Sequence, residues 1–380
     1  MAAKRLESSK ELTAEASTFS GFISLKDPIK ADLADNIAEL KKLGIALKMI
    51  TGDNHLIASN IANEIDLKTK EILLGQEIDS YSPSQLVQRI SDVDVFAEVS
   101  PNQKEKIIRA FKSSGEVVGY MGDGINDAPS IKAADVGISV NTAADTAKDA
   151  ASIVLLEQDL RVLIDGVLEG RRIFANTLKY IFIATSANFG NMFSMAGASL
   201  FLPFLPLLPQ QILSMNLLTD FPALQMSTDS VEKEWILQPM TWNMQFIQRF
   251  MIVFGLVSTI FDYLTFYVLL AIFHSNELAF QSGWFLESIF SATIVMLIVR
   301  SNRSIFQSRP SKALAMAVGI ILLVVLFIIY TPVGHLIGLQ PVPLEQLALF
   351  LLLVFLYALT AELVKHYFYH SQSFMKGKRS

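Results

Sequence analysis

The chain has 380 residues, no cysteine, 52% hydrophobic residues and a mean hydropathy of +0.41. It is too apolar for an ordinary soluble protein of this size, and without cysteine it can hold no disulfide, cysteine-ligated zinc or thiol nucleophile. The net charge of −5 is unevenly placed: residues 1–170 hold 18 Lys and Arg against 27 Asp and Glu, whereas residues 171–380 hold 13 against 9. This split predicts a charged soluble domain over 1–170 and a membrane domain over 171–380. The opening Met-Ala-Ala-Lys-Arg-Leu-Glu lacks the apolar core of a signal peptide.

In chain order, residues 22–25 read as a strand. Leu33, Ile37 and Leu40 lie at helical spacing over 30–43, and Gly44 ends that helix. A strand over 45–50 runs into Thr51-Gly52-Asp53-Asn54, and a helix over 55–65 follows directly. Residues 93–96 give another strand. Ser100 and Pro101 then open a helix as N-cap and first residue. The apolar strand 117–121 leads into Gly122-Asp123-Gly124-Ile125-Asn126-Asp127-Ala128-Pro129, whose glycines permit a tight turn. Short strands at 136–140 and 153–156 complete the pattern. Strand–helix alternation predicts an α/β fold with a mostly parallel sheet, helices on both faces and ligands at the carboxyl ends of the strands.

Three polar clusters fall at such ends. Thr51, Gly52 and Asp53 offer a hydroxyl and backbone N–H groups at a helix start, which suits phosphate. Lys104, near another helix start, supplies a point positive charge. Asp123 and Asp127 crowd two carboxylates onto one turn, beside the amide of Asn126, and hard oxygens of this kind suit Mg²⁺. Taken separately, these are a capped turn, a solvated lysine and an Asp/Gly-rich surface turn. Together they make a phosphoryl-transfer site that lacks a nucleophile.

These motifs resemble those of the P-type cation-transporting ATPases, whose phosphorylation domain has a haloacid-dehalogenase-like (Rossmann-like) fold. Thr51-Gly52-Asp53 looks like the family's TGD motif, Pro101-Asn102-Gln103-Lys104 like its P-x-x-K motif, and residues 122–129 match its GDGxNDxP motif. Lys26-Asp27-Pro28 matches the segment where the family's chain re-enters this domain. The resemblance implies that Asp123 binds a catalytic Mg²⁺, with Asp127 beside it. Asn126 and Asp127 would orient the phosphoryl site, and Lys104 and Thr51 would hold the phosphate. It also implies ATP as co-substrate, although the nucleotide site itself is not in these residues. The family's Asp-Lys-Thr-Gly-Thr acceptor motif occurs nowhere in the sequence. The 380 residues alone are therefore expected to form no aspartyl-phosphate, and a separate chain is one possible source of the missing pump half.

The second part predicts six membrane helices, at about 180–202, 207–226, 250–273, 284–299, 314–330 and 344–364. Arg171, Arg172 and Lys179 precede the first, and Lys233 and Arg249 lie between the second and third. Arg300, Arg303, Arg309 and Lys312 lie between the fourth and fifth, and Lys365, Lys376, Lys378 and Arg379 follow the last. The loops 274–283 and 331–343 contain no Lys or Arg. All basic loops then share one side, which puts both termini and the soluble domain in the cytoplasm. The resemblance, taken with this topology, implies a plasma-membrane protein.

Polar groups inside the spans are costly and mark function. Asn188 and Asn191 share one helix face. Asn216, Thr219 and Asp220 share another, near Pro206, Pro209 and Pro222. Their oxygens suit a hard divalent cation; the plainer reading of the asparagines is that they hold helices together. The same residues match the cation-site positions of the family's fifth and sixth membrane helices. Phe261-Asp262-Tyr263-Leu264-Thr265-Phe266, residues 280–285 and residues 201–206 look like the magnesium-importing branch, whereas Asn216-Leu217-Leu218-Thr219-Asp220 is shared with calcium pumps. The leading expectation is the carboxyl-terminal portion of an ATP-driven Mg²⁺ pump, partnered by the lipid bilayer and its transported cation and by no nucleic acid. Other readings are a calcium pump, a non-catalytic half-pump that binds Mg²⁺ or a partner, and a phosphatase using Asp27.

Overall fold

The computed structural model describes residues 2–3, 18–19, 32–67, 71–157 and 159–371, the first four and Ser371 by backbone only. The expected strand at 22–25 and the Lys26-Asp27-Pro28 segment lie outside the described residues. The chain divides into two compact units, Met1–Ile164 and Asp165–Ser380.

In the first unit, β1 (Ala2–Ala3) pairs antiparallel with β2 (Thr18–Phe19). Then come α1 (Leu33–Lys42), β3 (Met49–Ile50), α2 (His55–Glu64), β4 (Ile72–Leu74), α3 (Gly75–Ser80) and α4 (Pro83–Ile90). They are followed by β5 (Val95–Ala97), α5 (Pro101–Ser113), β6 (Gly119–Met121), α6 (Ala128–Ala133), β7 (Val136–Val140), α7 (Asp145–Ala150) and β8 (Ile153–Leu155). All pairs among β3–β8 are parallel, in the orders β3-β5-β4 and β6-β7-β8. This is the parallel α/β pattern expected, divided into two three-stranded sheets. Ile50 and Val118 pack against the cores of both. Phe96 is fully buried and meets Phe111 of α5 edge to face, a burial worth roughly 2–3 kcal/mol. At Gly137 of β7 a Cβ would lie 2.5 Å from the Ile131 carbonyl oxygen. Only glycine lets α6 approach the strand this closely, and that approach fixes the turn after β6.

The helix α8 (Leu160–Ala198) starts in the first unit and continues in the second. The second unit adds α9 (Pro209–Leu224), α10 (Lys233–Leu237), α11 (Met244–Tyr267), α12 (Glu277–Val299), α13 (Lys312–Tyr330), α14 (Val333–Leu336) and α15 (Leu344–Ser371). A π-helical turn, Val268–Ile272, extends α11. By length and apolarity four helices can cross a bilayer: Met244–Ile272, Glu277–Val299, Lys312–Tyr330 and Leu344–His370. The other two of the six predicted spans fall short for identifiable reasons. The helix α9 has 16 residues, roughly 24 Å at the α-helical rise, against a hydrocarbon core of about 30 Å. In α8 the two amides of Asn188 and Asn191 dilute an otherwise apolar stretch.

α12 is buried along most of its length and packs against α9, α11, α13 and α15. α8 and α11 approach closely where glycines meet, since a Cβ at Gly255 would lie 2.5 Å from Phe189 and 3.3 Å from the Gly190 nitrogen. Small residues at such crossings substitute for the hydrophobic drive that lipid removes. Outward side chains such as Leu323, Phe327, Phe355 and Leu363 are exposed, a surface that hydrocarbon covers without cost.

Candidate functional site

The turn after β6 is built by neighbours that leave it little freedom. The Gly122 N–H donates to the Ile138 carbonyl at 3.1 Å, and Ser139 Oγ donates to the Gly122 carbonyl at 3.0 Å. A Cβ at Gly122 would lie 2.6 Å from the Asp127 Cβ, so this position must be glycine. A 3₁₀ turn, Ile125–Asp127, then brings the chain back on itself, and the Gly124 N–H donates to Asp127 Oδ2 at 3.2 Å.

Lys104 reaches this turn from the first turn of α5. Its Nζ donates to Asp127 Oδ1 at 2.7 Å, and the buried Tyr120 hydroxyl donates to the same oxygen at 2.9 Å. Burial by itself would raise the Asp127 carboxyl. The hydrogen bonds from Lys104 and Tyr120 outweigh that effect and hold it below its ordinary value. Burial, reinforced by the Asp127 charge, pushes the Tyr120 phenol up. Tyr120 is a member of the cluster that the motif spacing does not reveal, and its only sequence signal is a phenol on the buried face of β6, two residues before Gly122.

A group with a depressed folded value contributes stability above the ordinary carboxylate range and loses it in acid. Lys104→Met is therefore expected to cost about 2 kcal/mol at neutral pH, because it strips the ammonium from a buried carboxylate, and to cost little in acid. Hydrogen–deuterium exchange over residues 119–133 reads this locally. Protection that is unchanged at neutral pH would contradict it.

Asp123 and Asn126 are exposed, and their side chains make no hydrogen bond among the described residues. Asp123 lines a cavity of about 290 Å³ together with Gly122, Val140, Leu155 and Asp159. The rest of the lining is apolar apart from Asp159, so the oxygens offered here are those of two carboxylates. A free carboxylate on an open cavity fits Mg²⁺, which keeps several waters and takes one or two carboxylates. Asp127 fits less well as a direct ligand. The sequence gives both aspartates to the metal, whereas here donors meet both Asp127 oxygens.

Thr51 follows β3. Its Oγ1 donates to Asp53 Oδ2 at 2.8 Å and accepts from the Asp53 N–H at 3.1 Å. Gly52 and Asp53 are exposed, and Asn54 caps α2 through the Leu56 N–H. No hydrogen bond among the described residues joins Thr51, Gly52 or Asp53 to Lys104, Asp123, Asn126 or Asp127. The structure therefore connects Lys104 to Asp127 and leaves the Thr51 turn a separate element at the end of its own strand.

In the second unit Asn188, Asn216 and Asp220 are exposed, and Asn191 and Thr219 are half-buried. Thr219 donates to the carbonyls of Met215 and Asn216 on its own helix. No hydrogen bond among the described residues joins the α8 pair to the α9 group. Two polar clusters in this unit have partners that only the fold brings together. One is Asp229 with Lys179 and Arg300, and the other is Asp262 with Ser194 and Trp284.

Comparison with known proteins finds relatives along most of the chain. Residues 2–135 match the haloacid dehalogenase-like hydrolase model, and residues 204–367 match the model for the C-terminus of cation transporting ATPases. The chain is 41% identical over 353 residues to the magnesium-transporting ATPase, P-type 1, of Escherichia coli, covering 92% of this chain and 39% of that protein. The chain belongs to the P-type cation-transporting ATPases. The corresponding protein of Salmonella typhimurium is 38% identical over 368 residues, which cover 96% of this chain and 40% of the relative. The calcium-transporting ATPase of Bacillus subtilis is 32% identical over 339 residues, covering 85% and 38%. The P-type chain thus spans about two fifths of the length of the curated relatives it matches. Its hydrolase-like match contains the Lys104–Asp127 cluster, and its C-terminus match begins just before α9 and runs into α15.

Proposed function

We propose that this chain is the carboxyl-terminal portion of an ATP-driven P-type pump that moves Mg²⁺. Residues 1–170 would form part of its phosphorylation domain with a stalk, and residues 171–380 a membrane domain of six helices with cytoplasmic termini in the plasma membrane. The observation that carries the reading is the free Asp123 carboxylate beside a Lys104–Asp127–Tyr120 cluster. This arrangement leaves one oxygen ligand open while holding a positive charge in place. When bound at Asp123, Mg²⁺ would supply charge neutralisation to the transferring phosphoryl group. Asp127 would aim Lys104, and Lys104 would attract the phosphate oxygens. Thr51 with the backbone at Gly52 would hold the phosphate from the other strand end. The acceptor aspartate and the nucleotide site would come from residues outside this sequence.

Asn188, Asn191, Asn216, Thr219 and Asp220 would be the oxygen ligands of the transported ion, with the exposure of Asn188, Asn216 and Asp220 leaving them open to further helices. The names of the Escherichia and Salmonella relatives favour Mg²⁺, and the Bacillus relative keeps Ca²⁺ as the second reading. The 380-residue chain alone is expected to take no acid-stable, hydroxylamine-sensitive label from γ-labelled ATP. The complete pump is expected to restore growth of a Mg²⁺-uptake-deficient host. Label on the isolated chain would overturn the first statement. Failure to restore growth despite membrane expression, with ATPase activity stimulated by micromolar Ca²⁺, would replace Mg²⁺ by Ca²⁺.

A further inference from the structure

Two carboxylates lie deep inside the second unit, on adjacent helices. Asp262 of α11 is 3% exposed and Glu287 of α12 is 1% exposed. Their surroundings differ. Asp262 Oδ2 accepts from Ser194 Oγ of α8 at 2.6 Å, and Oδ1 accepts from Trp284 Nε1 of α12 at 2.9 Å. Glu287 Oε2 is buried without a partner, and so is Thr265 Oγ1. Thr265 and Ser291 stand beside the Glu287 carboxyl. Glu287 lies one helical turn beyond Trp284, whose ring nitrogen holds Asp262, so the two acids share one face of α12.

No ion pair among the described residues reaches either acid. The buried cations of this unit are committed elsewhere, Lys179 and Arg300 to Asp229 and Lys365 to Glu362. The ionisable groups facing the pair are the phenols of Tyr263 on α11 and Tyr357 on α15. α8 presents Ser194. Of the other helices packed on α12, α9 carries the exposed Asp220, and α13 carries Lys312 as its first residue and Tyr330, whose hydroxyl donates to the Val342 carbonyl.

Two buried negative charges without a cation are far more costly than one, and a single proton removes the excess. The donors decide which acid holds it. Protonating Asp262 would set an O–H against a group that already donates. Glu287 has no N–H donor and no committed hydroxyl on Oε2, and a proton there gives that oxygen and the partnerless Thr265 hydroxyl one hydrogen bond without a buried charge. We propose that Asp262 and Glu287 form a proton-binding site inside the membrane unit, with Asp262 ionised and Glu287 holding the proton against Thr265. A proton needs no cavity, whereas Mg²⁺ demands about six oxygens at close range, and Trp284 can supply none. A cavity of about 30 Å³, lined in part by Ser258, Ser288, Ser291 and Tyr357, lies next along α12. It has room for a water through which the proton can exchange. None of the five cation-site residues binds this proton, so the site stands apart from the transport reading.

Infrared spectroscopy of the full chain, purified in an ester-free detergent at neutral pH, tests the assignment. A protonated carboxyl C=O band is expected. It should shift when glutamate carries ¹³C, stay when aspartate does, and vanish in Glu287→Gln, an isostere of the protonated acid. Absence of the band, its shift with labelled aspartate, or its survival in Glu287→Gln would overturn the proposal. If Glu287→Gln does not accumulate, the two isotope labels decide alone. Neither readout depends on whether the chain binds Mg²⁺ or Ca²⁺.

Discussion

Asp229→Ala is expected to destabilise the second unit by about 3–5 kcal/mol, because it strands two buried cations at once. Asp229 Oδ2 accepts from Lys179 Nζ at 3.0 Å and from Arg300 at 2.7 Å, and Oδ1 accepts from the Ser311 N–H at 3.0 Å. The side chains of Asp229, Lys179 and Arg300 are fully buried. Arg300 also donates to the Ser308 carbonyl, and Glu232 accepts from Ser301 and Ser308 beside it. One carboxylate therefore fastens α8, the end of α12 and the approach to α13. A thermal melt in detergent should show a large loss for Asp229→Ala. Adding Arg300→Met should return part of it, since the second change removes one of the stranded charges. An unchanged melt for Asp229→Ala would mean that water reaches the cations and solvates them.

This network also shows where sequence reading stops. The Asp123 turn is legible because strand, glycines and carboxylates are contiguous, so local chemistry alone defines it. Lys104 is legible by its place near the start of a helix. Its partner is not, because the 2.7 Å bond to Asp127 depends on how α5 packs against β6. Lys179, Asp229 and Arg300 lie far apart in sequence, and on a basic-residue count Lys179 and Arg300 read only as loop charges that mark one side of the membrane. β4 is missed because Ile72-Leu73-Leu74 is too short for a periodicity, and it passes directly into α3 at Gly75. A Cβ at Gly75 would lie 2.3 Å from the Glu98 carbonyl oxygen, a constraint that exists only once the sheet has formed. The apolar spans on α11, α12, α13 and α15 are legible because hydropathy accumulates along each helix. On α8 and α9 the polar residues that suggest a cation site are among those that weaken the membrane signal.

Asp123→Asn, in a pump that carries the phosphate acceptor, is expected to lower phosphoenzyme formation about 10²–10³-fold, the usual scale for losing one electrostatic contact to a transition state. It should also raise the Mg²⁺ concentration needed for half-activation, because an amide is a poorer ligand than a carboxylate for a hard cation. Asp127→Asn serves as the contrast. It removes the charge that holds Lys104 but leaves the Asp123 carboxylate on the cavity. Its expected effect is a loss of phosphoryl transfer with little change in the Mg²⁺ requirement. The two variants separate roles that the motif spacing merges, one aspartate binding metal and the other aiming a lysine. An equal rise in Mg²⁺ requirement for both would show that Asp127 leaves Lys104 and joins the metal when the site is loaded. Lys104→Met should then leave the Mg²⁺ requirement of Asp127→Asn where it is, since the lysine and the metal would no longer share that carboxylate.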